Sequence, residues 1–429
     1  MNISKRTLII IVITLVVLVL LGVYHDRRTV WGSNDFDTYY FAARLVLSGD
    51  NFYTHEAFRT TLSPYLYLPF FAVLISPLAL LPIRAAAFFW YIFNIAALIG
   101  SCYFSMRLLM TREEIIGWFR KRPDLTAIAS AILVIAIWAD NVSLAQVDFM
   151  IFFLVVLSFY LYQEKRPYLS GILLAMTAVI KIYPFYILFY FLAKRRYKAV
   201  AGAAAGILLF LAIVPCAAMG RADFKASMKS WYQIRVLPQI NVKGKTVKEN
   251  FAHYEAQLKP KNQALSAVTT RYFLKDDETV MRFKRDDYEY RIYWPHPLSP
   301  TQVEMLIKIL LLMIAGMTFL KLDYRNKRGS GTRQSLEYSA VLLSMLLLFP
   351  MVKSHTFAPV ILPVIAFNYL NINTRMITRF IKYLFLAGIA VYALQADEYM
   401  QVLGAGCIAI LIWWGIFVKL LGNHGRDLA

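Results

Sequence analysis

The chain has 429 residues, of which 59% are hydrophobic and 15% aromatic, and its formal net charge at pH 7 is +20. This composition excludes an ordinary soluble domain and predicts a polytopic membrane protein. In such a protein the basic residues must first be assigned to the two sides of the membrane, and the net positive charge alone does not indicate a nucleic-acid partner. Cys102, Cys216 and Cys407 lie in apolar segments without metal-type spacing, and neither a disulfide framework nor a zinc site is predicted.

The N-terminus contains an apolar run, residues 8–21, directly after Lys5 and Arg6. No small-x-small cleavage site precedes His25, so we expect a retained membrane anchor rather than a cleaved signal peptide. Further apolar segments follow, and each is a candidate membrane span. The candidate spans are residues 7–24, 85–108, 125–139, 149–162, 168–181, 183–193, 198–219, 302–320, 336–352, 356–370, 376–394 and 400–418. This series of twelve places both termini on the same side of the membrane.

Basic residues cluster in alternate short connections between these spans, whereas the opposite short loops are nearly free of Lys and Arg. The basic connections are residues 112–122, 165–166, 194–198, 321–333 and 375–382. The positive-inside rule therefore predicts a multi-pass protein of the inner (cytoplasmic) membrane with both termini in the cytoplasm. No internal repeat is visible, so we treat residues 1–429 as one membrane domain, with external loops at residues 26–84 and 220–301.

A polar stretch with Asp35 and Asp37 follows the first span. The spacing predicts a short helix along the outer surface, capped at Asn34 or Asp35 and ended by Gly49. Its apolar positions are Phe36, Tyr40, Ala43 and Leu47. Carboxylates near hydrocarbon are costly and usually functional, so Asp35 is a candidate catalytic or ion-binding group, although a simple N-cap is the alternative. The helix dipole would hold Asp35 ionised and lower its basicity.

The next apolar segment, residues 65–82, is interrupted by Pro69, Pro77 and Pro82. Counting it as a span would move the basic connection at residues 112–122 to the outside, so we predict a half-embedded element on the outer face. Broken backbone at membrane depth persists only where protein or a wet cavity satisfies its polar groups. The segment therefore predicts a cavity in this part of the molecule.

Isolated polar residues in later outward-facing turns extend the candidate site. Lys181 ends an apolar segment and needs an anion, unless it snorkels to the head groups. Lys353 and His355 form another polar break that faces the same side on this topology. The convergence of these three residues with Asp35 predicts an outward-facing charged site.

Gln146 lies in a third outward turn, where it could hydrogen-bond a sugar hydroxyl or simply cap a helix end. The long loop at residues 220–301 is the predicted lid or acceptor platform. His55-Glu56 lacks the second histidine of a zinc protease motif, and we find no glycine loop or other nucleotide-phosphate motif. An enzyme whose sugar donor is activated by a lipid phosphate would need no nucleotide-phosphate motif.

These residues together resemble glycosyltransferase family 87 of the GT-C superfamily, over most of the chain. The patches that carry the resemblance are residues 35–39 with Ala42, Ala43 and Tyr53; residues 67–71 with 77–82; Ala145-Gln146; residues 171–184 with Lys181-x-x-Pro184; Ser354-His355; and Asn262-Gln263 in the long loop. The family pattern Gly-Gln-x-Asn reads Ala145-Gln-Val-Asp148 here.

The resemblance implies an all-α, GT-C-like bundle of about twelve transmembrane helices with external juxtamembrane helices and one long external loop. It also implies an inverting transfer of a sugar, with mannose as the first choice, from a polyprenyl-phosphate donor to a lipid or glycan acceptor. The reaction would take place on the periplasmic or extracellular face, among membrane lipids. No cofactor, metal or nucleic acid is expected.

The resemblance also assigns roles to individual residues. The catalytic base falls on Asp35, with Asp37 as second choice. A single carboxylate suffices for such a displacement when cations hold the departing phosphate. The expected phosphate-binding residues are Lys181, Lys353, His355 and Arg271, and the expected sugar- or acceptor-binding residues are Tyr39, Gln146, Asp148, Asn262 and Gln263.

Two other classes of function are open to a chain of this kind. A transporter or lipid-linked-sugar flippase would use the carboxylates as ion sites, but such proteins often have internal repeats and charges near mid-span, whereas these charges gather at one rim. A glycan polymerase or ligase would act on a polyprenyl-diphosphate-linked oligosaccharide instead of a monophosphate-linked sugar.

Overall fold

The computed structural model describes residues 35–237, 259–274, 298–324 and 331–423. This part of the chain is helical, and its β-structure is limited to one isolated bridge between Leu274 and Leu298. The predicted all-α class is confirmed for these residues. The first predicted span, residues 7–24, lies outside them, as do Asn34 and large parts of the loop at residues 220–301.

The N-terminal half of the described chain consists of apolar helices of different lengths and a few short polar ones. In order these are α1 (Asp35–Ser48), α2 (Ala57–Thr60), α3 (Pro69–Ile75), α4 (Ile83–Arg107), α5 (Arg112–Arg120), α6 (Leu125–Ser143), α7 (Asp148–Gln163), α8 (Pro167–Ile180), α9 (Tyr186–Ala193), α10 (Tyr197–Leu208) and α11 (Val214–Met219). Short 3₁₀ turns at Leu78–Leu80 and Tyr183–Phe185 join their neighbours, and a π-helical stretch at Leu209–Ile213 connects α10 to α11.

The C-terminal half is also helical. Its helices are α12 (Arg221–Trp231), α13 (Leu265–Phe273), α14 (Pro300–Leu320), α15 (Gly331–Leu348), α16 (Ile361–Asn373), α17 (Arg379–Leu394), α18 (Glu398–Val402) and α19 (Ala405–Asn423). A π-helical stretch at Tyr232–Val236 follows α12, and a 3₁₀ turn at Ser354–Val360 leads into α16.

Six helical segments in the described residues are long and apolar enough to cross a membrane: Ile83–Arg107, Leu125–Ser143, Tyr197–Met219, Pro300–Leu320, Ser354–Asn373 and Ala405–Gly422. The remaining predicted spans among these residues also coincide with helices, to within a few residues at most ends. Some are short for a crossing, since the 14 residues of α8 extend about 21 Å against a hydrocarbon core of about 30 Å. The count of twelve crossings stays a prediction.

The predicted surface helix is present as α1, and it ends at Gly49, whose φ of +80° suits glycine. It packs against the proline-interrupted segment, which folds as the seven-residue α3 and a 3₁₀ turn instead of one continuous span. The Tyr40 hydroxyl donates to the Leu81 carbonyl at 2.7 Å, and the Tyr39 and Phe71 rings meet edge to face with centroids 5.0 Å apart.

Buried charges join the basic connections at one end of the bundle. The fully buried Glu337 accepts hydrogen bonds from Lys194 Nζ at 3.1 Å and from the backbone N–H of Asp323 at 2.8 Å. Lys382 pairs with Asp124 at 2.6 Å, where α17 and α6 begin. The 19 residues of α6 extend about 28 Å from Asp124 to the opposite end of the bundle. Ser335 Oγ donates to the Leu108 carbonyl at 3.2 Å and joins these two groups of contacts, so the basic connections at residues 112–122, 194–198, 321–333 and 375–382 share one end.

Glycines allow α8 and α10 to approach until their backbones touch. A Cβ at Gly171 would lie 1.9 Å from the carbonyl oxygen of Ala199, and a Cβ at Gly202 would lie 2.2 Å from that of Tyr168. In a membrane the hydrophobic effect does not drive helices together, because lipid tails are as apolar as the side chains. Small residues at a crossing therefore stabilise it by allowing close van der Waals packing. Because Lys181 follows directly on α8, this crossing fixes one wall of the region described next.

Replacement of Gly202 by alanine is expected to lower the thermal unfolding midpoint of the detergent-purified protein clearly, since the added methyl cannot fit without separating α8 from α10. Gly316→Ala is the matched control, because it also lies inside an apolar helix but no heavy atom lies within 4 Å of an added Cβ. That change should be neutral or stabilise by up to about 1 kcal/mol through helix propensity. Equal midpoints for the two variants would contradict the close crossing.

Candidate functional site

A cavity of about 370 Å³ opens at the end of the bundle opposite the basic connections. Its walls come from segments far apart in sequence and bring together the charged or titratable side chains of Asp35, Lys181, Lys353 and His355. The convergence expected from the sequence is present. The rest of the wall is largely apolar and includes Leu66, Leu68, Ile180, Ile182, Phe349 and Met351.

Asp35 is held in the cavity wall from both its backbone and its side chain. Its N–H donates to the Leu144 carbonyl at 3.2 Å, and its Oδ2 accepts a hydrogen bond from Gln146 Nε2. Burial raises the pKa of Asp35, and the nearby cations Lys181 and Lys353 oppose this only in part. The sequence-based expectation of lowered basicity is therefore wrong, because desolvation outweighs the charges that favour the ionised form.

The turn that presents Gln146 has an unusual backbone. Ala145 has a φ of +51°, a conformation that costs a residue with a Cβ roughly 1–2 kcal/mol. Its carbonyl accepts a hydrogen bond from the buried Trp90 Nε1 at 2.9 Å, and the Gln146 N–H donates to Asn141 O at 3.0 Å. These bonds hold the turn so that the amide of Gln146 meets Asp35. No sequence pattern predicts this role of Trp90.

The anion beside Lys181 belongs to the protein itself. Lys181 Nζ donates to the two oxygens of the fully buried Asp148 at 2.8 and 3.0 Å, and the Tyr183 hydroxyl donates to the same carboxylate at 3.1 Å. The lysine therefore has the anion that its position requires, and the predicted contact with a lipid phosphate stays a prediction.

Asp148 lies beneath the cavity, not in its wall. His355 Nε2 is 3.9 Å from Asp148 Oδ2, so the same carboxylate faces two of the predicted phosphate-binding groups. Among the residues that the structure describes, Asp148 does not line the cavity, although it was expected to contact sugar or acceptor. Its position suits a residue that orients the cavity side chains.

One amide links the two halves of the site. Gln146 Oε1 accepts hydrogen bonds from Lys181 Nζ and from the Tyr39 hydroxyl, each at 3.4 Å, while its Nε2 donates to Asp35. The Tyr39 hydroxyl also lies 2.8 Å from that of Tyr67, which lines the cavity. Gln146 therefore connects the candidate base with the Lys181–Asp148 pair.

Lys353 differs from Lys181 in having no carboxylate partner. In the described part of the chain it forms no ion pair, and burial lowers its pKa although Asp35 partly opposes that shift. His355 is also nearly buried, and its Nδ1 has no hydrogen-bond partner among the described residues. These two groups are available to a ligand in the cavity.

Arg271 and Asp37 lie away from the cavity. The Arg271 guanidinium is buried and donates to the carbonyl oxygens of Val402, Lys259 and Asn262 at 3.1, 3.1 and 2.8 Å. A guanidinium spent on backbone carbonyls is not available to a phosphate, so the structure does not bring Arg271 to the predicted anion site. Asp37 is buried in α1 and does not line the cavity.

Asn262 and Gln263 brace the chain behind Lys353. Asn262 Oδ1 accepts from the Val352 N–H at 3.0 Å, and Gln263 Oε1 accepts from the Gly406 N–H at 3.0 Å. Neither residue lines the cavity, contrary to the expected contact with sugar or acceptor. Their amides instead fix the segment before Lys353 against α19.

The helices and this cavity define a polytopic helical membrane protein that gathers a carboxylate and several cationic or neutral donors at one end of its bundle. The profile of glycosyltransferase family 87 matches residues 65–350, more than half of the sequence. The chain belongs to glycosyltransferase family 87. Asp35, Lys353 and His355 lie outside the matched range.

Two curated relatives share part of the sequence. Over 146 residues the chain is 32% identical to a polyprenol-phosphate-mannose-dependent alpha-(1-2)-phosphatidylinositol pentamannoside mannosyltransferase of Mycolicibacterium smegmatis. The aligned residues make up 33% of this chain and 32% of that relative. Over 155 residues the chain is 30% identical to a Mycobacterium tuberculosis protein of the same name, covering 35% and 32%. The chain thus spans about a third of the length of these relatives. No solved structure matches it significantly.

Replacement of Asp148 by asparagine is expected to lower the thermal unfolding midpoint, because it leaves Lys181 without its counter-charge in a largely buried position. Removal of one partner from a buried ion pair costs up to about 3–5 kcal/mol of folding stability. A second change, Lys181→Met, should restore part of the loss. Glu304→Gln is the control, since the Glu304–Lys308 pair is 66% exposed on both sides and such pairs contribute little. An Asp148→Asn midpoint equal to that of the control would contradict the pairing.

Proposed function

We propose that the protein is an inverting glycosyltransferase that moves a sugar, with mannose as the proposed sugar, from a polyprenyl-phosphate donor to a hydroxyl of a lipid or glycan acceptor. The observation that carries the proposal is the cavity shared by Asp35, Lys181, Lys353 and His355. Membership of glycosyltransferase family 87 and the printed activity of the two partial relatives support it.

In the proposed reaction, Asp35 takes the proton of the acceptor hydroxyl while the acceptor oxygen attacks the anomeric carbon of the donor sugar. The bond from that carbon to the phosphate oxygen breaks, and its electron pair leaves with the phosphate. The donor is a phosphodiester with one negative charge, and the released polyprenyl phosphate has a second. One displacement inverts the anomeric centre, so a β-linked donor gives an α-glycoside. Asp35 then returns its proton to solvent.

The environment of Asp35 suits this role. A carboxylate with a raised pKa is a stronger base than one exposed to water, provided that it remains ionised at the working pH. The hydrogen bond from Gln146 orients one oxygen and leaves the other for the acceptor hydroxyl. The carboxylate therefore combines position with useful basicity.

The two lysines suit different tasks. Asp148 already compensates the charge of Lys181, so Lys181 adds little net charge and would donate to the phosphate by giving up its long 3.4 Å hydrogen bond to Gln146 Oε1. Lys353 has no carboxylate partner in the described chain and contributes an uncompensated positive charge, which stabilises the second negative charge that develops on the departing phosphate. Fixed cations in a cavity lined largely by apolar side chains act more strongly than in water.

The apolar rim favours a lipid carrier over a soluble nucleotide sugar. Leu66 is 60% and Ile182 is 70% exposed, and both line the cavity. Such side chains beside a charged pocket match a molecule that joins a phosphate to a hydrocarbon chain. The proposed setting is the non-cytoplasmic face of the inner membrane, since the cavity lies opposite the basic connections and the positive-inside rule places those in the cytoplasm.

Asp35→Asn is expected to lower the transfer rate about 10²- to 10⁴-fold, because a positioned base contributes that much, while binding of polyprenyl phosphate persists. Transfer of radiolabelled mannose from polyprenyl-phosphate mannose by protein in nanodiscs measures this. Asp50→Asn, just beyond the exposed end of the same helix, serves as control. Asp37→Asn tests the second candidate. Wild-type rates for both Asp35→Asn and Asp37→Asn would overturn the assignment.

The acid limb of the kcat/KM profile is expected above the ordinary aspartate pKa, because burial raises the pKa of Asp35 and the base must be ionised to act. Lys353 lowers that pKa, so Lys353→Met should move the limb to higher pH as well as reduce the rate. The exposed Lys308→Met is the control and should leave the limb in place. A limb that does not move in Lys353→Met would argue against Asp35 as the titrating base.

A further inference from the structure

Trp231 lines the cavity, although the sequence did not single it out. It ends α12, the helix that begins the predicted long external loop. Its side chain is half-buried, and it joins Tyr67, Tyr183 and Phe349 as the aromatic part of a wall that also contains charged and aliphatic side chains. Aromatic surfaces with a polar edge are typical of ligand pockets in which one part of the ligand is apolar.

Two anchors on either side of Trp231 fix α12 to the first external segment. Asn51 Nδ2 donates to Ser230 Oγ at 3.1 Å. Arg235 donates from Nε and Nη2 to the Tyr65 carbonyl at 3.2 and 2.9 Å. The indole is thus held in place before any ligand binds, which reduces the entropy that binding would cost.

The indole N–H of Trp231 is buried and has no hydrogen-bond partner among the residues that the structure describes. A buried tryptophan N–H normally finds an acceptor, and an unmade hydrogen bond at such a group is unfavourable. The donor is neutral, whereas the cations Lys181 and Lys353 already suit a phosphate. The oxygen of a neutral ligand hydroxyl would satisfy it.

We propose that Trp231 binds the sugar of the donor, with its Nε1–H donating to a sugar hydroxyl. This rests on the proposed function. The sugar is the right partner because it is attached directly to the phosphate that Lys181 and Lys353 would hold in the same cavity. Trp231 then distinguishes the glycosylated carrier from the bare carrier, which lacks the sugar hydroxyls.

Trp231→Phe tests the proposal because it keeps an aromatic face and removes the donor. Binding of polyprenyl-phosphate mannose and of polyprenyl phosphate is measured in nanodiscs without an acceptor. The variant is expected to bind the mannosylated lipid about tenfold more weakly, as for loss of one hydrogen bond in a buried site, and to bind the bare lipid within about twofold of wild type. Trp138→Phe is the matched control, since Trp138 is also half-buried with an unpartnered Nε1 in the described chain but lies outside the cavity wall.

Deoxy analogues of the mannosyl donor give a second test that needs no variant. One analogue should bind to wild-type protein about tenfold more weakly than the parent donor does. The same analogue should bind to Trp231→Phe and to wild type with equal affinity, as a double-mutant cycle requires. Equal binding of every deoxy analogue and the parent by wild type would overturn the proposal. An equal loss for both lipids in Trp231→Phe would also overturn it, because the contact would then be to phosphate.

The outcome separates this proposal from the proposed function. If wild-type protein transfers mannose but Trp231→Phe binds the mannosylated lipid normally, only the role of Trp231 fails. If wild-type protein neither binds nor transfers the sugar of the mannosylated lipid, the proposed function fails, and the assignment of Trp231 to the donor sugar fails with it.

Discussion

The site depends on one buried charge, the carboxylate of Asp148. A fully buried carboxylate is tolerated only when it is paired and hydrogen-bonded, and Lys181 and Tyr183 meet that requirement. Because Lys181 is drawn to Asp148, its ammonium also reaches Gln146, whose amide in turn holds Asp35. The position of the candidate base therefore follows from a charge that does not itself line the cavity.

Rigid packing elsewhere keeps this chain of contacts in register. The glycine crossing of α8 and α10 fixes the helix from which Lys181 extends, and the amides of Asn262 and Gln263 fix the segment before Lys353. At the far end, Glu337 and its partners join the connections of several helices. Side chains that are held by packing and by surrounding hydrogen bonds keep the positions that the proposed transfer reaction requires.

Sequence patterns predicted much of this architecture and the four titratable residues of the cavity. Apolar run length gave the helices, and isolated charges between them gave Asp35, Lys181, Lys353 and His355. The patterns could not show that Lys181 has an internal partner, because Asp148 is 33 residues away and meets it only through the packing of α7 and α8. For the same reason Arg271 resembled a free cation, since its carbonyl partners come partly from residues more than a hundred positions later. Trp231 reaches the cavity only through the docking of α12, which local sequence does not specify.

The exposed hydrocarbon of Leu66 and Ile182 at the cavity mouth has a consequence for how a carrier lipid would arrive and depart. Substrate would reach the mouth by lateral diffusion, so its effective concentration would be a surface density rather than a bulk molarity. The spent carrier has the same tail and one more negative charge, and it would compete for the same lysines. Turnover under the proposed chemistry would then depend on how quickly other proteins clear spent carrier from that leaflet.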